Sequence, residues 1–154
     1  MRLLWPSPPW DAVTYWALDL ETGGLDPKRD PILAVGMVPV RERTIRLGDG
    51  VLLVHQAALD VRFLKRAYRA VGLRWRSPRV VDTVDLLMRL AKKARFIDPG
   101  AQEAAPVLNL TAARRRLGLP DYAAHDALTD AIAAAELFLV LRKALGARTL
   151  RDVR

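Results

Sequence analysis

The sequence predicts an α/β fold in which helices cover both faces of one mixed β-sheet. Two strand-like segments lie close together near the start of the chain, and strand-like and helical segments alternate after them. The first two predict an antiparallel hairpin because the residues between them, Thr22-Gly23-Gly24 and Asp26-Pro27, are typical of a turn. The later alternation is typical of strands joined by helices. The 154 residues and 51% hydrophobic content suit a single domain with one core.

The strands are identified by β-branched, aromatic and aliphatic runs that end at turn residues. Residues 13–20 and 32–40 form the predicted hairpin. Residues 43–47 alternate charged and apolar side chains, as an edge strand does. Val51–Val54 is an uninterrupted apolar run, which is typical of a strand buried on both faces. Residues 79–81 are a shorter candidate for a further strand of the sheet.

Four helices are predicted from apolar residues at helical spacing, and glycines end three of them. They cover residues 60–71, 83–94, 110–117 and 127–145. Residues 1–12 are expected to be an irregular arm, and residues 95–107 a mobile loop. No internal repeat and no second domain is evident, so residues 1–154 are predicted to be one domain.

The composition favours a polyanionic partner. Lys and Arg total 25 against 17 Asp and Glu, which gives a net charge of +8 and a pI near 10.6. Nucleic acid fits that surplus, although a cation-rich surface that only maintains solubility is an equal alternative. The absence of cysteine excludes disulfides and thiolate metal sites and fits the reducing cytoplasm. No signal peptide and no membrane-spanning run is present, so a soluble cytoplasmic protein without a membrane partner is expected.

Asp19 and Glu21 are the first candidates for chemistry. Residues two apart on a strand point to the same face, so both carboxylates are expected to leave the end of the first strand together. Like charges held this close are costly unless a cation lies between them. Gly23 and Gly24 follow and would let a substrate approach. The alternative is a solvated strand end without a function.

Asp60, His125 and Asp130 are the other candidates. Asp60 follows the buried run Val51–Val54 and stands where a helix is predicted to begin, so it could equally be an N-capping residue. Asp130 is predicted in the first turn of the last helix, and His125 lies just before that helix. In the alternative interpretation Asp126 or Thr129 caps that helix, Asp130 favours its dipole and His125 is an ordinary loop residue.

Together these segments resemble, in order, the three motifs of the DnaQ-like exonucleases, the superfamily of the DNA polymerase III epsilon proofreading subunits. The motifs are residues 18–27 (LDLETGGLDP), 54–64 (VHQAALDVRFL) and 125–131 (HDALTDA). Val81-Asp82-Thr83 also resembles the Asp-Thr strand end of the family. The His-x4-Asp spacing is similar to that of the histidine (DEDDh) branch. The resemblance covers most of the chain, from about Tyr15 to Leu145.

The resemblance implies a ribonuclease H-like fold and a 3′→5′ exonuclease that uses two divalent cations, Mg²⁺ or Mn²⁺. It implies that Asp19 bridges the two ions, that Glu21 and Asp130 hold the ion on the nucleophile side, and that Asp60 holds the other. His125 would be the general base, since its ordinary pKa near 6.5 suits proton transfer at neutral pH.

The resemblance also implies where the substrate lies. Thr22 and Gly23 are expected to contact the terminal nucleotide and Leu25 to pack on its base; His55 is a substrate-site candidate but is more simply a supporting or packing residue. Single-stranded DNA 3′ ends are favoured over RNA as the substrate, with a DNA polymerase subunit as a further partner. The alternatives are an exoribonuclease and a non-catalytic scaffold that binds nucleic acid or a polymerase.

One connection is too short for the expected topology. In the family, the third strand and the strand before Asp60 both run parallel to the first, and parallel neighbours need a crossover of a dozen or more residues. Only Gly48, Asp49 and Gly50 separate residue 47 from Val51. We therefore predict that a crossover segment near residues 48–51, including a helix, is missing from this sequence.

Overall fold

The computed structural model describes residues 7–40, 50–98, 105–123 and 125–154. The predicted edge strand at residues 43–47 lies outside these described residues. So do residues 48 and 49, next to the predicted missing segment, and the middle of the predicted loop at 95–107. The structure therefore leaves the missing segment as a prediction.

Four strands form one mixed sheet, as predicted. They are β1 (Tyr15–Thr22), β2 (Ile32–Pro39), β3 (Val51–Val54) and β4 (Arg79–Asp82), in the spatial order β2-β1-β3-β4. β2 is antiparallel to β1, whereas β3 is parallel to both β1 and β4. The prediction for β1 was wrong by two residues at each end. Its pairing with β2 continues to Thr22, so Asp19 and Glu21 lie inside the strand and not at its end.

Four helices accompany the sheet. They are α1 (Ala57–Ala70), α2 (Thr83–Ile97), α3 (Leu110–Arg116) and α4 (Ala127–Leu145), with short 3₁₀ turns at Trp10–Ala12 and Leu150–Val153. α4 has the predicted bounds. α1 begins three residues earlier than expected, because the carboxylate of Asp82 accepts hydrogen bonds from the backbone N–H groups of Gln56 (3.1 Å) and Ala57 (2.8 Å). The residue that supports the start of α1 therefore comes from the end of β4.

The main core lies between the sheet and α4. Tyr15 of β1 packs on Phe138 of α4 with ring centroids 4.8 Å apart, and both residues are fully buried. Val51 and Leu53 share this face of the sheet because they are the register partners of Tyr15 and Ala17. Buried alanines on α4 let its backbone approach the strands closely.

Gly36 of β2 is where the sheet and α4 come closest. A methyl group at this position would overlap the backbone of Ala127 and Leu128, so only glycine fits. Gly36 is the register partner of Asp19. This contact therefore brings the start of α4 over β1 at the level of Asp19.

The parallel orientation of β3 determines where Asp60 lies. Trp16 of β1 has Pro39 as its partner on one side and Leu52 on the other. The last residues of β2 and the first residues of β3 thus lie at the same end of the sheet, on either side of β1. Two strand spacings, or roughly 10 Å, separate them. Since β3 then runs parallel to β1, it carries α1 and Asp60 to the end of the sheet where Asp19 lies.

The described part of the N-terminal arm is anchored to the end of the chain. Pro9 pairs with Thr149, and the Trp10 ring packs edge-on against Phe138 and beneath the Arg142 guanidinium. Trp16 of β1 is half-buried. No helix in the described ranges is long and apolar enough to cross a membrane.

Candidate active site

Three of the predicted carboxylates meet at one point. Asp19 and Glu21 project from the same face of β1, and Asp130 lies in the first turn of α4. One carboxylate oxygen from each residue lies within 4.8 Å of the others. The alternation of β1 and the close contact at Gly36 are what bring them together.

Asp60 is the fourth carboxylate and is buried, with 8% of its surface exposed. It is the fourth residue of α1, so the alternative in which it caps that helix is wrong. Burial raises its pKa to about 7, and the negative charges of Asp19 and Asp82 contribute in the same direction. The charge of Asp19 thus acts on Asp60, which links Asp60 to the three clustered acids.

The four acids are held at an electrostatic cost. Burial raises the pKa of Asp19 to about 6, and the neighbouring charges of Asp130 and Glu21 contribute to the rise. Half-buried like charges at this separation favour a bound cation, which would relieve both the desolvation and the repulsion. The donors are all carboxylate oxygens, so the set fits a hard cation such as Mg²⁺ or Mn²⁺.

His125 lies directly against this cluster. Its backbone N–H donates a hydrogen bond to Oδ2 of Asp130 (3.1 Å), and its φ of 69° is in the left-handed region. Asp126 caps α4 by accepting a bond from the Thr129 N–H (2.9 Å), as one alternative supposed. That cap leaves Asp130 able to join the cluster, so capping by Asp126 is compatible with the role predicted for Asp130. The side chain of His125 is exposed to solvent.

His55 is held by protein atoms on both sides of its ring. Nδ1 lies 2.7 Å from Oγ1 of Thr83, and Nε2 lies 2.8 Å from the carbonyl oxygen of Leu108. Burial lowers its pKa. The ring connects the end of β3 to the start of α2 and to the segment before α3, which is a supporting role. Its candidacy as a substrate-binding residue stays a prediction.

The predicted nucleotide-binding residues lie in the turn after β1. The Thr22 hydroxyl donates to the carbonyl of Gly24 (2.7 Å), and the Gly23 N–H donates to the carbonyl of Pro31 (2.9 Å). Both groups therefore stabilise the turn. Leu25 is 80% exposed and offers an apolar side chain in the turn that follows Glu21. The substrate contacts of all three residues stay predictions.

Two residues that support the site were not singled out from the sequence as functional. Asp82 accepts three backbone hydrogen bonds, from Gln56, Ala57 and Val84, and so fixes the starts of α1 and α2. An Asp directly before a predicted helix was the available signal, since this is the N-cap position. Gly36 carries no such signal, because its contact with α4 is formed between residues far apart in the sequence.

Comparison with known families gives one match, to the family described as exonuclease (RNase T), over residues 43–138. The match covers more than half of the chain. It includes Asp60, His125 and Asp130, whereas Asp19 and Glu21 lie before it.

Three curated relatives carry names from DNA replication. A DNA polymerase III subunit epsilon-like protein of Rhodobacter capsulatus is 38% identical over 120 residues, 76% of this chain and 15% of the relative. PolC-type DNA polymerase III is 28% identical in Thermotoga maritima over 171 residues (82% of this chain, 12% of the relative), and 35% identical in Clostridium perfringens over 91 residues (59% and 6%). The chain thus spans a small part of each relative.

The alignment with the Thermotoga maritima protein also bears on the length of this chain. The aligned stretch of 171 residues is longer than the whole chain of 154. That relative therefore has residues within the matched region that have no counterpart here.

Proposed function

Because the chain belongs to the exonuclease family, we propose that it is a metal-dependent 3′→5′ exonuclease that releases nucleoside 5′-monophosphates from single-stranded DNA ends. The observation that carries the proposal is the convergence of Asp19, Glu21 and Asp130, with Asp60 buried beside Asp19. A scaffold that only binds nucleic acid would gain nothing from keeping four carboxylates at this cost.

The acids would hold two divalent cations, Mg²⁺ or Mn²⁺. Such ions neutralise charge on the phosphate and activate the attacking water when they are bound. Asp19 is the residue to be shared between the two ions, because both Asp130 and Asp60 interact with it. Glu21 and Asp130 belong to the nucleophile side and Asp60 to the other side.

His125 is the proposed general base. It is exposed, so it can exchange the accepted proton with solvent, and its backbone bond to Asp130 fixes its position at the edge of the cluster. The left-handed φ of 69° shows that the chain is held in an uncommon conformation at this residue. Accepting a proton from water next to the scissile phosphate is the role that this position supports.

The preference for DNA, and association with a polymerase, are part of the same proposal. The relatives named as DNA polymerase III subunits support both. Leu25 is proposed to pack on the terminal base because it is apolar and exposed and lies in the turn that follows Glu21. A matched RNA strand tests the alternative, an exoribonuclease, directly.

The experiment follows a 5′-labelled single strand of about 20 nucleotides with Mn²⁺. The proposal predicts a ladder of products that shorten from the 3′ end, loss of activity with EDTA, and protection when the 3′ end is blocked. Asp19→Asn and His125→Ala should abolish the ladder. Asp85→Asn is the matched control, since Asp85 is an exposed acid on α2 outside the cluster.

Three results would contradict parts of the proposal. Shortening from the 5′ end would overturn the direction. Faster degradation of the matched RNA strand would make the protein an exoribonuclease. Failure of the wild-type protein to cleave any strand with Mn²⁺ would favour the non-catalytic scaffold.

A further inference from the structure

Much of the positive charge of the chain lies in one segment of the sequence, between Asp60 and Asp82. The segment from Asp60 to Asp82 contains seven Lys and Arg residues and no Asp or Glu between them. The net charge of the whole chain is +8. This one segment, which comprises most of α1 and the connection to β4, therefore accounts for nearly all of the excess.

Three cations of α1 form a row along the exposed face of the helix, opposite the buried Asp60. Arg62, Arg66 and Arg69 have the spacing of neighbours on one helix face, and all three are exposed. Arg62 follows the buried Asp60 by two residues. At 1.5 Å per residue the row extends roughly 10 Å along the helix, away from the acids.

Arg66 connects this row to the turn that follows Glu21. Its guanidinium donates hydrogen bonds to the carbonyl oxygens of Pro27 (3.0 Å) and Asp30 (2.9 Å). That turn also carries the exposed Leu25. The basic face of α1 thus contacts the turn that leads from Glu21 to β2.

The far end of the row has aromatic as well as basic side chains. Tyr68 and Trp75 meet edge to face with centroids 5.3 Å apart and an interplanar angle of 85°. Tyr68 is 43% exposed. Arg69, Arg74 and Arg76 are exposed on either side of the two rings in the sequence. We refer to Arg62, Tyr68, Arg69, Arg74, Trp75 and Arg76 as the basic-aromatic surface.

We propose that the basic-aromatic surface binds the nucleic-acid strand several nucleotides away from the end that is cut. Arginines suit phosphates because the guanidinium donates several hydrogen bonds and keeps its charge. Aromatic rings among them provide stacking for bases of any sequence. The inference rests on the proposed function for the identity of the ligand, and on the charge and ring arrangement for its place.

The first test measures binding in EDTA, so that the strand is not cut. The surface variant is Arg69→Gln/Arg74→Gln/Arg76→Gln. Its Kd for a strand of about 20 nucleotides should rise at least about tenfold. The slope of log affinity against log salt should become shallower by about two, at roughly 0.7 for each phosphate that an arginine no longer neutralises. Cleavage of a strand of about four nucleotides with Mn²⁺ should be unchanged, because it is too short to reach this surface.

A matched control removes the same charge elsewhere. Lys92→Gln/Arg95→Gln/Arg116→Gln changes three exposed cations on α2 and α3. Its Kd should stay within about twofold of the wild-type value, as expected for surface charges outside the binding path. A lysine version, Arg69→Lys/Arg74→Lys/Arg76→Lys, keeps the charge and should keep most of the affinity.

The aromatic part is tested with Tyr68→Leu and Trp75→Leu. Each should weaken binding of the long strand by about tenfold, as removal of one stacking ring does. Neither should weaken binding of an abasic strand of the same length. The fluorescence that is lost in Trp75→Leu should be quenched by the normal strand and not by the abasic one, because bases stack on the ring.

The outcomes separate this inference from the proposed function. Equal weakening by the surface and control triple variants, or weakening by neither, would overturn the basic-aromatic surface while cleavage of the short strand still supported the exonuclease. Absence of short-strand cleavage by the wild-type protein would instead overturn the proposed function, whatever the binding data.

Discussion

Charged side chains lie in opposite environments at the two ends of α1. At its first turn Asp60 is buried, and its pKa is raised to about 7 by burial and by neighbouring carboxylates. At its last turn and beyond, Arg69, Arg74 and Arg76 are exposed beside a pair of aromatic rings. Ionisation of the buried Asp60 at the first end is unfavourable, whereas water solvates the charges of the exposed arginines at the other end.

This difference indicates which end carries out chemistry and which end only binds. A cluster of half-buried carboxylates is unfavourable at neutral pH unless a cation compensates it, so its presence points to a specific ligand. Exposed arginines cost little and point only to a class of polyanion. Replacing one acid of the cluster should therefore reduce activity strongly. At the basic end, the affinity for the strand should fall in proportion to the number of charges removed.

The largest effect is expected from Asp19→Asn. The variant should lose activity by about 10³-fold or more, because it removes the carboxylate shared by both metal positions. Without metal its Tm should rise by a few degrees, since removal of the half-buried charge is worth roughly 1 kcal/mol after solvent screening. Initial rates and melting curves check the two parts. A Tm that falls together with activity would show that Asp19 is structural.

Gly36→Ala should reduce activity by about 10²-fold, the usual cost of displacing a catalytic group by about 1 Å. The added methyl group pushes the start of α4, and Asp130 with it, away from Asp19. Gly118→Ala is the matched control: Gly118 has a φ of 74° and open space around it, so that variant should lose stability but keep its specific activity. Equal specific activity in the two variants would show that Gly36 does not position Asp130.

The buried end should also make stability depend on pH when metal is absent. The pKa values of Asp60 (about 7) and Asp19 (about 6) are raised above the ordinary 3.8, so the folded protein holds these protons more tightly than the unfolded chain. Their stabilising effect is complete below about pH 4 and is lost as the pH rises towards about 7. His55, whose pKa is lowered, acts in the opposite sense by destabilising the fold as the pH falls below about 6.5.

The carboxylate contribution is isolated by comparing wild type with Asp60→Asn, because both contain His55. In EDTA the Tm of the wild type, relative to that of the variant, should fall as the pH rises from about 5 to about 7.5. Saturating Mn²⁺ should remove this fall, since the ion stabilises the ionised acids. A difference in Tm that does not vary with pH would contradict the raised pKa of Asp60.

The smallest effect is expected from Arg66→Ala, which lies between the two ends. Removing its bonds to Pro27 and Asp30 should loosen the turn after β1 and raise KM by about threefold to tenfold, with kcat unchanged. Arg115→Ala is the control, since Arg115 of α3 forms an exposed ion pair with Asp121, which follows that helix. An equal change in KM for both variants would indicate a general effect of charge.

Local patterns predicted the elements of this site but not how they are held together. The bounds of α4 and the shared face of Asp19 and Glu21 follow from periodicity, which neighbouring residues determine. The early start of α1 depends on Asp82, 26 residues after Gln56, and the position of α4 depends on Gly36. Contacts of this kind arise from packing between distant segments, and no local pattern encodes them. The Thermotoga maritima relative has extra residues somewhere in the matched region, and the missing segment near residues 48–51 stays a prediction.

Titration with Mn²⁺, followed by calorimetry, tests most directly whether the acids form a divalent cation site. The wild-type protein should bind two ions per chain and release protons, because Asp19 and Asp60 must ionise to act as ligands. Asp19→Asn should abolish this binding, whereas Asp85→Asn should retain it. Binding that is absent in the wild type, or unchanged in Asp19→Asn, would contradict the account.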